Sequence, residues 1–248
     1  MTYCLGIKTR EGIVGLADTR ITSGTETTTA KKIFTVNKKK HSFFIMTSGL
    51  RSVRDKAITY FKEIVEEEDE NFNKLYKIVN KFADQIKRVA TEDKESLEQA
   101  GMSFNLFSIV GGQLEKDTEP KLYLLYPQGN WIEIGEGTPF VIIGNTGFGN
   151  PILKRALHYD DDMKFALRVA FLSFDATRIS ANDVDFPIDT VILKNNSFDI
   201  IEHRFDDKEL GQLSDAWNTR IKNGISDLSA DVLNSAFKPE NNRTIKMM

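Results

Sequence analysis

Hydrophobic and polar positions alternate from the first residues. Tyr3, Leu5 and Ile7 are interleaved with Cys4, Gly6 and Lys8, the period of a half-buried strand. Arg10-Glu11-Gly12 is a turn signal, and the apolar run Ile13 to Ala17 predicts the returning arm of a hairpin. Residues 21–30, ITSGTETTTA, are polar and predict a flexible loop. Ile33–Val36 and Phe43–Thr47 predict two further strands. The period then changes. Val53, Ala57, Tyr60 and Ile64 recur at helical spacing, ending in the acidic run Glu66 to Glu70. Phe72, Leu75, Val79, Phe82, Ile86 and Val89 step by three and four, which predicts a second amphipathic helix. Phe61 and Leu97 fall off these two stripes and are expected at the surface.

Strands resume at Ser103–Ile109, Lys121–Tyr126, Trp131–Ile134 and Pro139–Ile143, with Gly135 and Gly137 as punctuation. A helix is expected to start near Asn150-Pro151, where proline suits an early helical position. Another is expected near Asp160 to Asp162, whose carboxylates suit a helix N-terminus. Ile188–Leu193 and Phe198–His203 predict a hairpin across Asn195-Asn196, and residues 207–223 a last helix. The order is strands, two helices, strands, two helices, strands, helix. Two sheets between helical layers satisfy it.

Composition narrows the class. The 248 residues are 40% hydrophobic and 28% charged, enough to bury a core without staples. The net charge of −3 favours neither nucleic acid nor an anionic membrane as partner. No apolar run reaches the ~20 residues of a membrane span, and MTYCLGIKTREG lacks the basic start of a secretory leader. Cys4 is the only cysteine, so no internal disulfide is possible and a cytoplasmic setting is expected. No repeat or linker divides the chain. One domain over residues 2–236 is expected, with a loose tail over 237–248.

Four features carry candidate chemistry. Thr2 is small enough to allow removal of Met1. A free Thr2 would bear a hydroxyl and an α-amine on adjacent carbons, a nucleophile with its own base. Asp18 and Arg20 stand at the end of the second strand, and Lys32 enters the next. A lysine beside a buried aspartate and the threonine hydroxyl would lower the nucleophile's pKa. Ser48-Gly49 ends a strand just before a helix, where backbone N–H groups can hold an oxyanion. Each feature alone has a bland reading: a processed N-terminus, a surface ion pair, a solvated lysine and a plain turn. Other motifs stay structural. Gly144 to Gly149 is not a phosphate loop, because no Walker lysine follows. His41, His158 and His203 lack metal-ligand spacing. Cys4, Trp131 and Trp217 are expected to pack.

The order of these features resembles the proteasome β-subunit pattern: an N-terminal Thr, D-x-R sixteen residues on, K-[KR]-[IV], then a small-residue turn before a helix. The second half adds Ile143-Gly144-Asn145-Thr146, Gly147-Phe148-Gly149-Asn150-Pro151, Ser173-Phe174-Asp175-Ala176-Thr177-Arg178 and Asp185-Phe186-Pro187-Ile188-Asp189. With the opening MTYCLGIK, these resemble the bacterial family called Anbu, the ancestral β subunit, over residues 2 to about 203.

The resemblance implies a four-layer αββα sandwich, an α+β fold of N-terminal nucleophile hydrolases. It casts Thr2 as nucleophile, Asp18 as the aspartate holding Lys32, Arg20 as their structural neighbour, and Asp175 as the conserved second aspartate. Ser48 stands where the family has a glycine whose N–H serves the oxyanion, next to Gly49. The family's helper serines are replaced by Asn145 and Arg178, with Ser180 two residues beyond the latter. The implied activity is hydrolysis of peptide or amide bonds without metal or organic cofactor, by a self-assembling ring or open spiral. The alternatives are an assembly subunit with little hydrolysis and a hydrolase of small amides.

Overall fold

A computed structural model describes residues 2–23, 26–68 and 72–237. These fall into two compact units, divided between Asp207 and Lys208.

In the first unit, one sheet contains β1 (Tyr3–Thr9), β2 (Gly12–Asp18), β10 (Phe140–Gly144), β11 (Ile188–Lys194) and β12 (Ile200–Phe205). They lie in the order β10-β1-β2-β11-β12, antiparallel throughout. A second sheet runs β5 (Ile33–Lys38), β6 (His41–Gly49), β7 (Leu106–Leu114), β8 (Lys121–Leu125) and β9 (Trp131–Glu133). The inner faces meet through Cys4, Ile13 and Ala17 from the first sheet and Phe44, Met46, Ile109 and Leu122 from the second. Helices α1 (Arg51–Glu68) and α2 (Leu75–Gln99) cover the outer face of the second sheet. Helices α3 (Asn150–Ala156) and α4 (Met163–Arg178) belong to the other outer layer, with α4 against β1 and β2. The result is the expected four-layer αββα sandwich.

Several local expectations need correction. β1 is not half-buried: all seven of its residues are buried. The odd positions meet α4, as in the Tyr3–Phe174 edge contact at 6.1 Å, and the even ones face the second sheet. Lys8 is buried too, its Nζ donating to Glu119 at 2.9 Å. Residues 21–30 are not simply a loop. β3 (Arg20–Ser23) and β4 (Glu26–Thr29) form a two-stranded ribbon with Arg20 opposite Thr29, consistent with the β-branched threonines of this stretch. Along α1 the fully buried stripe is Val53, Ala57, Phe61 and Val65, while Tyr60 and Ile64 are only partly buried. A four-residue step drifts little on a 3.6-residue helix, so Phe61 is core, 5.2 Å from Phe82 between ring centroids. Leu97 packs on the same core.

Other elements follow their sequence signals. Asp162 caps α4, its carboxylate accepting from the Phe165 N–H at 2.8 Å. Asn196 takes a positive φ of 57° in the β11–β12 turn. Trp131 stacks edge-on to Tyr123 and donates its indole N–H to Asn80 at 2.8 Å. Among the described residues, no helix is long and apolar enough to cross a membrane.

The second unit holds most of α5 (Asp207–Ser226) and a 3-10 turn at Leu233–Phe237. Ile225, Leu228, Val232, Leu233 and Phe237 are exposed. The expected tail from residue 238 on lies outside the described residues.

Candidate active site at the start of β1

Thr2 immediately precedes the strand that lies second in the first sheet, and two backbone contacts place it. Its carbonyl accepts the Asn145 N–H at 2.8 Å. The next N–H, of Tyr3, donates to Asp18 Oδ1 at 2.8 Å. The Tyr3 hydroxyl shares a 2.6 Å hydrogen bond with Ser173 Oγ on α4. Burial pushes the Tyr3 phenol well up, so it stays neutral. The first link of the chain is therefore pinned from three elements.

Asp18 ends β2 and is fully buried. Lys32 Nζ donates to both its oxygens, at 2.7 and 2.8 Å, and to the Arg20 carbonyl at 2.6 Å. That satisfies all three ammonium donors. Burial pushes the Asp18 carboxyl up, opposed by Lys32 and by the backbone N–H groups of Tyr3 and Arg20. Arg20 reaches the other way and meets Asp185 at 2.9 Å. Thr19 donates both its N–H and its hydroxyl to the Pro187 carbonyl, at 3.1 and 2.7 Å. The Asp185-Phe186-Pro187 stretch thus buttresses the end of β2.

Thr2, Arg20, Lys32, Ser48 and Gly49 line one cleft of about 690 Å³. Gly49 closes β6 at φ 148°, where a Cβ would stand 1.9 Å from the Asn105 carbonyl oxygen. Asn145 contributes its backbone N–H, as above. Asp175, Arg178 and Ser180 do not line this cleft. Asp175 is buried on α4 and accepts from Arg178 Nε at 2.8 Å, with the guanidinium 5.0 Å from the Phe186 ring. Ser180 Oγ donates back to the Ala176 carbonyl.

The residues 2–178 match a family described as "Proteasome subunit". The chain belongs to the proteasome subunit family. Solved structures of that fold agree over nearly its whole length. Anbu from Hyphomicrobium sp. strain MC1 is 27% identical, covering 92% of this chain and 98% of the other, with a TM-score of 0.83. A structure titled as the helical assembly of the Anbu complex from Pseudomonas aeruginosa is 25% identical, covering 92% and 97%, with a TM-score of 0.86. Anbu from Yersinia bercovieri shares the fold at 22% identity, with 92% and 97% covered and a TM-score of 0.84. No curated protein matches the chain.

Three site residues escaped the sequence reading as individuals: Tyr3, Ser173 and Gly144. Tyr3 looked like one more strand residue. Gly144 looked like part of an ordinary turn, yet it has φ 91° and lies opposite Tyr3 in the β1–β10 register. A Cβ there would stand 1.8 Å from the Thr2 carbonyl oxygen and 3.1 Å from Ser48 Oγ. Its signal was the glycine immediately before Asn145. Gly144→Ala is expected to displace Thr2, lowering stability by about 1–3 kcal/mol through backbone strain alone. Denaturant melts of the two proteins check this, and equal midpoints would remove the close approach as the reason for glycine.

Proposed function

We propose that this chain is an N-terminal threonine hydrolase acting on peptide or amide bonds. The observation that carries the reading is the buried Asp18–Lys32 pair, whose lysine lines one cleft with Thr2, in a proteasome-type fold. Removal of Met1 frees the Thr2 α-amine. The amine takes the proton of Thr2 Oγ, which attacks the carbonyl and expels the amine half of the substrate, to which the proton passes. Water, deprotonated by the same amine, then releases the acyl half and restores Oγ–H. Lys32⁺ favours the developing alkoxide, and the backbone N–H groups at Ser48-Gly49 receive the oxyanion. Asp175 and Arg178 on α4, Asn145 just after β10 and Ser180 just after α4 are assigned supporting roles outside the cleft wall. The chemistry asks for no metal or organic cofactor, and a lone buried thiol suits the cytoplasm.

The test is intact mass followed by reaction with a threonine-directed peptide electrophile and peptide mapping. The expected result is loss of one Met and one adduct at residue 2. Retained Met1 on protein from its native host, with no adduct, defeats the reading. One observation favours a second reading, an assembly subunit with little hydrolysis. Arg178 occupies Asp175 where the family pattern has a serine.

The chain is further proposed to self-assemble into a ring or open spiral. The exposed Ile225, Leu228, Val232, Leu233 and Phe237 of the second unit supply apolar contact surface, and a P. aeruginosa structure of this fold is titled as a helical assembly. Light scattering at micromolar concentration is expected to give a mass several times 28.1 kDa. A monomer across that range would remove the assembly.

A further inference from the structure

Four cations line the cleft that holds Thr2: Arg20, Lys32, Arg51 and Arg54. Among the described residues lining it there is no Asp or Glu. The carboxylates that pair with these cations, Asp18, Asp185 and Asp55, all stand outside the lining. Two of the cations are spoken for. Lys32 is 5% exposed and spends all three donors on Asp18 and the Arg20 carbonyl. Arg20 pairs with Asp185 at 2.9 Å, a carboxylate that also accepts the Phe186 N–H. Arg51 and Arg54 must share Asp55, at 3.3 and 3.4 Å, and that carboxylate is half exposed. Arg54 also donates to the Lys31 carbonyl, which holds the guanidinium without neutralising it.

Two guanidiniums over one carboxylate leave an excess positive charge at this wall. The backbone adds to it. Arg51 opens the 18-residue helix α1, and no acidic residue sits in its first turn, so the unpaired N–H groups there carry uncompensated positive charge. The rest of the cleft includes Ile21, Leu50, Phe107 and Leu124. Such apolar surroundings lower the local dielectric and lengthen the reach of a charge.

We propose that the cleft selects peptides carrying Asp or Glu at the residue that donates the scissile carbonyl, with Arg51 and Arg54 as the specificity-determining pair. This rests on the hydrolase reading given above. The acidic side chain would complete the charge balance that Asp55 leaves open. A basic side chain at the same position would meet two guanidiniums and a helix N-terminus.

The experiment uses the assembled protein with Thr2 at its N-terminus. Three peptide epoxyketones differing only in the terminal residue, Glu, Leu or Lys, are compared by their rate of adduct formation at Thr2. The expected order is Glu, then Leu, then Lys. Glu should lead Leu by about five- to tenfold, the range open to a partly enclosed ion pair, with the lead shrinking as salt is added. Arg51→Glu should bring the Lys probe level with or ahead of the Glu probe. Arg54→Gln should lower the ratio of Glu to Leu labelling. Because Arg54 also holds the Lys31 carbonyl, that ratio is the readout, since a general loss of Lys32 positioning would slow both probes alike. Adducts that form at equal rates, or fastest with Leu or Lys, overturn the specificity and leave the hydrolase reading standing. No adduct with any of the three overturns the hydrolase reading and the specificity together.

Discussion

Replacing Thr2 by alanine will abolish hydrolysis, with a loss of at least about four orders of magnitude, as expected when a nucleophile is removed from a cooperating set. The α-amine survives in the variant but has no hydroxyl to deprotonate. The fold should not notice. Thr2 is partly exposed, precedes β1, and is held through its backbone carbonyl. The Tyr3 N–H to Asp18 contact and the Tyr3–Ser173 bond do not involve the Thr2 side chain. The measurement is turnover of the best peptide found, alongside a thermal melt and light scattering. Wild-type turnover in the variant would remove Thr2 from the mechanism. A large loss of melting temperature would show a structural role instead.

Lys32→Ala should be nearly as damaging to activity and far more damaging to stability. Asp18 is fully buried, and Lys32 is its ionic partner. Removing one partner of a buried pair costs about 3–5 kcal/mol, because the other charge is left uncompensated. The sign of the pH dependence is fixed by burial, which already pushes the Asp18 carboxyl up. Without Lys32 the push is stronger. A carboxyl whose folded pKa lies above its unfolded value, about 3.9, favours folding at low pH. That contribution is lost as pH rises through the folded pKa. The stability gap between wild type and Lys32→Ala should therefore be wide at neutral pH and narrow toward pH 4. Urea melts at both pH values check it. A gap independent of pH would mean that Asp18 is not the group left stranded.

Much of the architecture was legible because periodicity reports burial on one face at a time. The stripe of α2 is a clean case: Leu75, Val79, Phe82, Ile86 and Val89 are all buried. The reading failed where two faces were buried at once. In β1 the even positions are Cys4, Gly6 and Lys8; Cys4 was expected to pack, but the alternation as a whole, with a glycine and a lysine on that side, reads as a half-buried strand. They are covered by the second sheet, and Lys8 is neutralised by Glu119, 111 residues away in sequence. Phe61 was misplaced for a narrower reason. Tyr60 and Phe61 compete for one stripe, and only the packing of α1 against Phe43 and Phe82 decides between them.

The candidate site divides in the same way. Asp18 and Lys32 stood out only through the order and spacing of motifs that resemble the proteasome β-subunit pattern, since each alone reads as a surface charge, and it is the structure that buries both. Gly144 and Ser173 did not stand out. Their parts depend on a 1.8 Å clearance and a hydrogen bond across 170 residues of chain, which no local pattern encodes. Arg51 and Arg54 carry no sequence signal of their own, and only the start of α1 at the cleft marks them.

The attachment of Thr2 directly ahead of a core strand has a consequence for exchange and breathing motions. Catalytic groups commonly ride on loops, which open with small free energies. Here the residue after Thr2 is already fully buried, and β10 and α4 both clasp it. Moving the Thr2 backbone out of register means lifting β1 off β10, a sub-global opening. The amide proton of Tyr3, donated to the buried Asp18, should therefore rank with those of the central strands as the slowest to exchange, and heat should dismantle the seat of Thr2 and the sandwich in one transition.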